Sequence, residues 1–311
     1  MILCVNLNAA IDKTIVVNSF KLGDIHRPEK VLALAGGKGC NVARALKQFG
    51  QSPVVTGWIG GSAGQFIENN LQQEGIATDF VDTGIESRTC TSILDSSNQT
   101  LTEIYEKGES IPPDKVEAML DHFREMVRKV TAVSLSGSLP PGVLQNFYAQ
   151  LIEIAHESNT PVFLDSSGEA LAHGVAAKPF LIKPNEKEIA VLAQRQLNNF
   201  ADFVAAAADV SVNYSTMVVL SLGANGALAA KEGKVAHVKP PLVNAISAVG
   251  SGDCTLAGLM FGFAQSLDWI DATKLGVAAG TANTLITGAG KFSMADFNDI
   301  LADVEVELIR G

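Results

Sequence analysis

Positive charge is in short supply: 23 Lys and Arg stand against 33 Asp and Glu, for a net charge of −10, and no basic run appears. A protein that grips nucleic acid or anionic lipid needs such a run, so neither is expected as a partner. Cysteine is scarce too. Cys4, Cys40, Cys90 and Cys254 lie far apart with no C-x-x-C pair, which argues against a zinc cluster or a disulfide framework. They read as small buried hydrophobes. No apolar run approaches the ~18 residues of a membrane span, and no cationic segment precedes the apolar stretch of Met1 to Leu7. The chain is therefore read as cytoplasmic. Repeats, low-complexity tracts and linkers are absent as well. What remains is a chain of 311 residues, 47% hydrophobic and only 18% charged, able to bury a large core as one large α/β domain with or without a small appendage.

Short apolar runs at Val130–Leu135, Pro161–Leu164, Phe180–Ile182 and Met217–Leu222 read as strands, and helical patterns at Leu144–Ala155 and Glu186–Leu192 fall among them. This alternation predicts a doubly wound, mainly parallel sheet flanked by helices. The polar segments after the runs begin at Ser136, Asp165, Lys183 and Gly223. In a parallel sheet all four would meet at the carboxyl edge, where open α/β folds bind ligands. Lys13 to Ala35 and Thr89 to Glu106 break the rhythm with alternating runs and no helix between them. They predict a small antiparallel sheet, either a lid over the cleft or an edge of the main sheet.

Two glycine clusters lead into helices. Ala248-Val249-Gly250-Ser251-Gly252-Asp253 opens an apolar helix from Cys254 to Ser266. Glycines can aim successive amides at an anion, and a helix start adds partial positive charge, so a phosphate would fit there. A carboxylate beside that phosphate makes Asp253 a candidate general base; the alternative is an ordinary acidic residue complementing the helix dipole. Gly36-Gly37-Lys38-Gly39-Cys40-Asn41 opens a second helix, with Val42, Leu46 and Phe49 at helical spacing and Gly50 to end it. It matches neither a Walker A loop nor G-x-G-x-x-G, and reads equally as a ligand loop with Lys38 and Asn41 as polar groups or as a tight turn. Arg27 and Arg88 stand at the junctions with the lid, as solvated cations or as anion clamps.

Taken together, the two clusters resemble the signatures of the PfkB, or ribokinase-like, carbohydrate kinases. Asn6 to Asp12, Ser136 to Pro140, Asp165 to Leu171, Lys183 to Asn185 and Ser221 to Gly223 fall in that family's order, so the resemblance spans the chain. It implies a ribokinase-like fold with a large domain of residues 1–12, 36–87 and 107–311 and a β lid of 13–35 and 88–106. It also implies ATP-dependent, Mg²⁺-assisted phosphorylation of a ketohexose monophosphate. Tagatose 6-phosphate is the first choice and fructose 1-phosphate the alternative, with an unphosphorylated sugar or nucleoside more remote. By the same resemblance Asp253 is the base, and the Gly250, Ser251 and Gly252 backbone cradles the transferred phosphoryl group. Asp12, Gly37, Lys38, Asn41 and Ser138 hold the sugar, Arg88 and Arg27 its phosphate. Lys183, Asn185, Ser221, Gly223 and Gly226 face the nucleotide, Gly280 and Asn283 wall the adenine, and Glu188 meets Mg²⁺ through water. A homodimer through the lid is open. Ser251 replaces the family's commoner alanine, and Glu106-Lys107-Gly108-Glu109 departs from its usual turn.

Overall fold

A computed structural model describes residues 1–310. Its main sheet has ten strands. Seven of them run parallel, in the order Ala77–Thr78, Pro53–Thr56, Ile2–Val5, Ala132–Ser136, Val162–Asp165, Leu181–Ile182, Met217–Ser221. Ala227–Lys231, Lys234–Lys239 and Glu305–Arg310 extend this sheet antiparallel. Strands covered on both faces need no polar alternation, and Ile2 to Val5 are all buried. Two hydrophobic cores result, one on each side. Leu46, Phe49, Leu256 and Ala278 belong to the first, and Phe123, Tyr148, Leu164 and Leu220 to the second.

The strands expected at Val130, Pro161, Phe180 and Met217 form within two residues of the expected bounds. Helix Glu186–Leu192 forms as read because its start is written locally: the Asn185 side chain accepts from the amides of Lys187 and Glu188, while Glu188 accepts from the Asn185 amide. Helix Ser251–Ala264 begins three residues before Cys254, so Asp253 lies within its first turn rather than ahead of it.

The separate sheet is built from Ala10–Val17, Lys30–Gly36, Arg88–Asp95 and Thr100–Tyr105. Its outer pairs are antiparallel, as expected, but its central pair, Ala10–Val17 with Arg88–Asp95, is parallel. The connection between those two strands passes through the main sheet, which brings the second strand back in the same direction. Val31, Leu32, Leu101, Ile104 and Tyr105 of this sheet are exposed. Among the described residues no helix is long and apolar enough to cross a membrane.

Candidate active site

The cleft forms where the carboxyl ends of the parallel strands meet the starts of two helices. Gly250 caps helix Ser251–Ala264 with φ of 85°, in the left-handed region, and a Cβ there would stand 2.6 Å from Ala289 Cα. Only glycine closes this junction without strain. Ser251 N–H donates to Ala248 O at 3.2 Å, while among the described residues the Gly250, Gly252 and Asp253 amides have no partner in the protein. They are the orphan donors of a helix start, aimed out of the fold and suited to an anion.

Asp253 is only 6% exposed, and its Oδ2 accepts a hydrogen bond from Asn41 Nδ2 at 2.8 Å. Burial, reinforced by the nearby Asp165, raises its pKa to about 6, against the opposing pull of Lys38, Asn41 and Lys183. At neutral pH it is an ionised base whose proton affinity is well above that of a surface carboxylate.

Asp165, the last residue of strand Val162–Asp165, was given no role from the sequence. It is 2% exposed and lies between Lys38 Nζ at 2.8 Å and Lys183 Nζ at 2.9 Å. Burial pushes its pKa up, but the two ammonium groups outweigh it and hold the carboxyl below the usual range. The available signal was its place as the first acid at the end of a buried strand. Lys38 and Lys183 are thus ion-paired here, Lys38 remaining 41% exposed toward the cleft.

Asp12, expected in the large domain, lies instead in strand Ala10–Val17 of the separate sheet, which begins at residue 10 rather than 13. Its carboxylate lies against the Gly36 Cα and accepts from the Gly37 amide; burial raises its pKa, opposed by Gly37, Arg44 and Arg88. Gly37, with φ of 99°, packs on the Asn6 side chain, whose Nδ2 donates to Gly36 O at 2.9 Å. Asn6 was another residue without an assigned role; it pins the first glycine loop. Arg88 Nε and Nη2 donate to Asn8 O at 3.3 and 3.1 Å, and Nη1 to Glu106 O at 3.0 Å, leaving two of the five guanidinium hydrogens for a ligand. Exposed Ser138 accepts at Oγ from Asn8 Nδ2, 3.1 Å away, on the cleft rim.

Arg27 is exposed in the loop between strands Ala10–Val17 and Lys30–Gly36, within the separate sheet rather than at its junction with the large domain. Asn41 donates to Asp253 and accepts from Arg44, which leaves one Nδ2 hydrogen for a further partner. Gly280 is buried between helices Ser251–Ala264 and Trp269–Asn283, with Ser251 O 2.9 Å from where its Cβ would be. Asn283 is fully buried and donates to Gly288 O and Lys291 O at 2.9 and 2.6 Å. Both serve packing and loop shape in this fold.

Among the residues expected to face a nucleotide, Ser221 Oγ donates to Pro184 O at 3.2 Å, and Gly223 and Gly226 take φ of 59° and 81° to turn the chain beneath Val238. Glu188 has one carboxylate oxygen engaged by the Asn185 amide at 2.8 Å. Its other oxygen and its half-buried place near Lys38 suit a hydrated Mg²⁺, which takes one or two carboxylates plus substrate phosphates. Among the described residues no cluster of three or more His, Cys, Asp or Glu could cage a metal, and such a hydrated ion requires none. A groove of ≈ 730 Å³, lined in part by Lys178, Phe180 and Lys231, lies at the amino ends of the strands, away from all these groups.

The sequence profile of the pfkB family carbohydrate kinases matches residues 5–295. Phosphofructokinase-2 from Escherichia coli, solved in complex with fructose-6-phosphate, is similar at 28% identity and a TM-score of 0.88, with 97% of this chain and 98% of that one covered. A tetrameric inhibited form of that enzyme superposes with a TM-score of 0.89 at 28% identity, over 97% of this chain and 98% of that chain. The Thermotoga maritima protein designated a possible 1-phosphofructokinase is similar at 26% identity and a TM-score of 0.90, with both chains fully covered at 100%.

Proposed function

This chain belongs to the pfkB family of carbohydrate kinases, a family of phosphotransferases, and on that premise we propose that it transfers the γ-phosphoryl group of ATP to a ketohexose monophosphate, giving the bisphosphate. Tagatose 6-phosphate is the substrate we favour. Fructose 1-phosphate is the second reading, favoured by the likeness to the Thermotoga maritima protein. The observation that carries the proposal is the Asp253 carboxylate, buried and bonded to Asn41, at a helix start whose neighbouring amides are free.

In this reading a sugar hydroxyl attacks the γ-phosphorus in line, Asp253 accepts its proton, and the Gly250, Gly252 and Asp253 amides take the charge on the phosphoryl oxygens. Lys38 and Lys183 add positive charge on the same side, and their shared partner Asp165 holds both in place. Asp12 and Gly37 receive sugar hydroxyls, while Arg88 meets the existing phosphate with its remaining donors. When bound, Mg²⁺ neutralises phosphate charge, with Glu188 as its protein carboxylate. The lid's exposed apolar face supports a homodimer, in which Arg27 at the hairpin tip would be free to reach a partner. A cytoplasmic location is part of the same proposal.

Measuring kcat/KM on tagatose 6-phosphate, fructose 1-phosphate, fructose 6-phosphate and unphosphorylated fructose with Mg²⁺-ATP tests it. The expected result is turnover of a phosphosugar, tagatose 6-phosphate foremost, with fructose poorer by at least about 10²-fold, since a plain sugar leaves the Arg88 cation unanswered. Fructose turned over as well as any phosphosugar would refute the substrate class.

A further inference from the structure

Asn41 stands between Asp253 and a buried arginine. Arg44 lies one turn further along helix Lys38–Gln48 and is 5% exposed, with every guanidinium nitrogen engaged. Nε donates to Glu74 Oε2 at 2.6 Å, Nη2 to Ala35 O at 2.6 Å, and Nη1 to Asn41 Oδ1 at 3.1 Å. A guanidinium can only donate, so the Asn41 atom facing it must be the carbonyl oxygen. The amide nitrogen is thereby turned to Asp253, 2.8 Å away.

From this chain of contacts we infer that Arg44 is a positioning residue for phosphoryl transfer: it locks the Asn41 amide in the one orientation that donates to Asp253. The donated hydrogen bond holds Oδ2 and leaves Oδ1 for the incoming hydroxyl. With Asn41 turned over, its carbonyl would face the carboxylate, two acceptors in contact, and the anionic base would lose a stabilising donor. Asp253 is also faced by Lys38 from the helix of Arg44, by Asp165 and Lys183 from the sheet edge, and by Cys254, whose thiol is kept neutral by burial. None of those groups bonds to Arg44, so Asn41 is the route by which Arg44 reaches Asp253; apart from this, its charge pulls down the pKa of the Asp12 carboxyl. The role rests on Asp253 being the base. Arg44 also braces the end of strand Lys30–Gly36 through Ala35 O, and a brace alone would show itself differently.

The test is kcat against pH at saturating ATP and phosphosugar, so that titration of the free sugar phosphate drops out, for wild type, Arg44→Lys, Arg44→Met and Asn41→Ala. Lysine keeps a charge for Glu74 but not the planar fork that serves three acceptors, and methionine keeps the bulk alone. In either variant the acidic limb should move upward by about one pH unit, the worth of one hydrogen bond to a charged group. Adding Asn41→Ala should move it no further than Asn41→Ala does alone. A limb that stays at the wild-type position in whichever Arg44 variant folds, with kcat lowered equally at every pH, makes Arg44 a brace and overturns the inference. Absence of an acidic limb in wild type, or normal turnover by Asp253→Asn, would instead remove the base and its positioning residue together.

Discussion

Asp253 is held ionised at a cost. Its folded pKa of about 6 lies above the ordinary 3.8, so the folded chain binds this proton more tightly than the unfolded chain does. The ionised carboxylate therefore destabilises the fold above pH 6, and the penalty fades as pH falls through 6 toward 3.8. Asp253→Asn should accordingly raise stability by up to about 3 kcal/mol at pH 8, with the gain shrinking by pH 5. Urea melts of both proteins at the two pH values check this; a loss of stability at pH 8 would mean that Lys38, Lys183 and Asn41 more than repay the desolvation. At this scale the sequence offered candidate residues for chemistry and was poor about how they are paired. Asp253 stood out because a carboxylate followed a glycine-rich helix start. That Lys38 and Lys183 share Asp165 could not be read, since Asp165 and Lys38 are 127 residues apart and meet only when the sheet assembles.

Among the elements, helix Glu186–Leu192 was legible to the residue because its capping box is local. The same box gives Glu188 two duties, a cap and the proposed Mg²⁺ carboxylate. Glu188→Gln keeps an acceptor for the Asn185 amide but loses the charge, so it should melt near wild type while needing several-fold more Mg²⁺ for half-maximal rate. Glu188→Ala should lose both, with a stability loss of about 1 kcal/mol. Thermal melts beside Mg²⁺ titrations of activity distinguish the two, and an unchanged Mg²⁺ requirement in Glu188→Gln would leave the residue only its cap. The lid was recognisable by alternating runs without a helix between them, but the parallel partnership of Ala10–Val17 with Arg88–Asp95 was not, because strand direction follows from the path of the intervening chain. The pairing of Asn283 with Gly288 O and Lys291 O was not legible either, because a motif gives a residue's position and not the loop its amide meets.

For the whole molecule, a seven-strand parallel sheet sets two helix starts, the lid and four strand-end loops around one edge. In the proposed reading these supply free amides for phosphate, lysines paired on Asp165, the Asp12 carboxylate and the Arg88 cation for the sugar phosphate, and one buried base where they converge. This arrangement asks binding of many residues and proton transfer of one. The measurement that bears on it most directly is the steady-state rate of Asp253→Asn against wild type with Mg²⁺-ATP and the preferred phosphosugar. A fall in kcat of at least about 10²-fold, with both KM values nearly unchanged, is predicted for loss of a general base. Turnover within a few-fold of wild type would contradict the account.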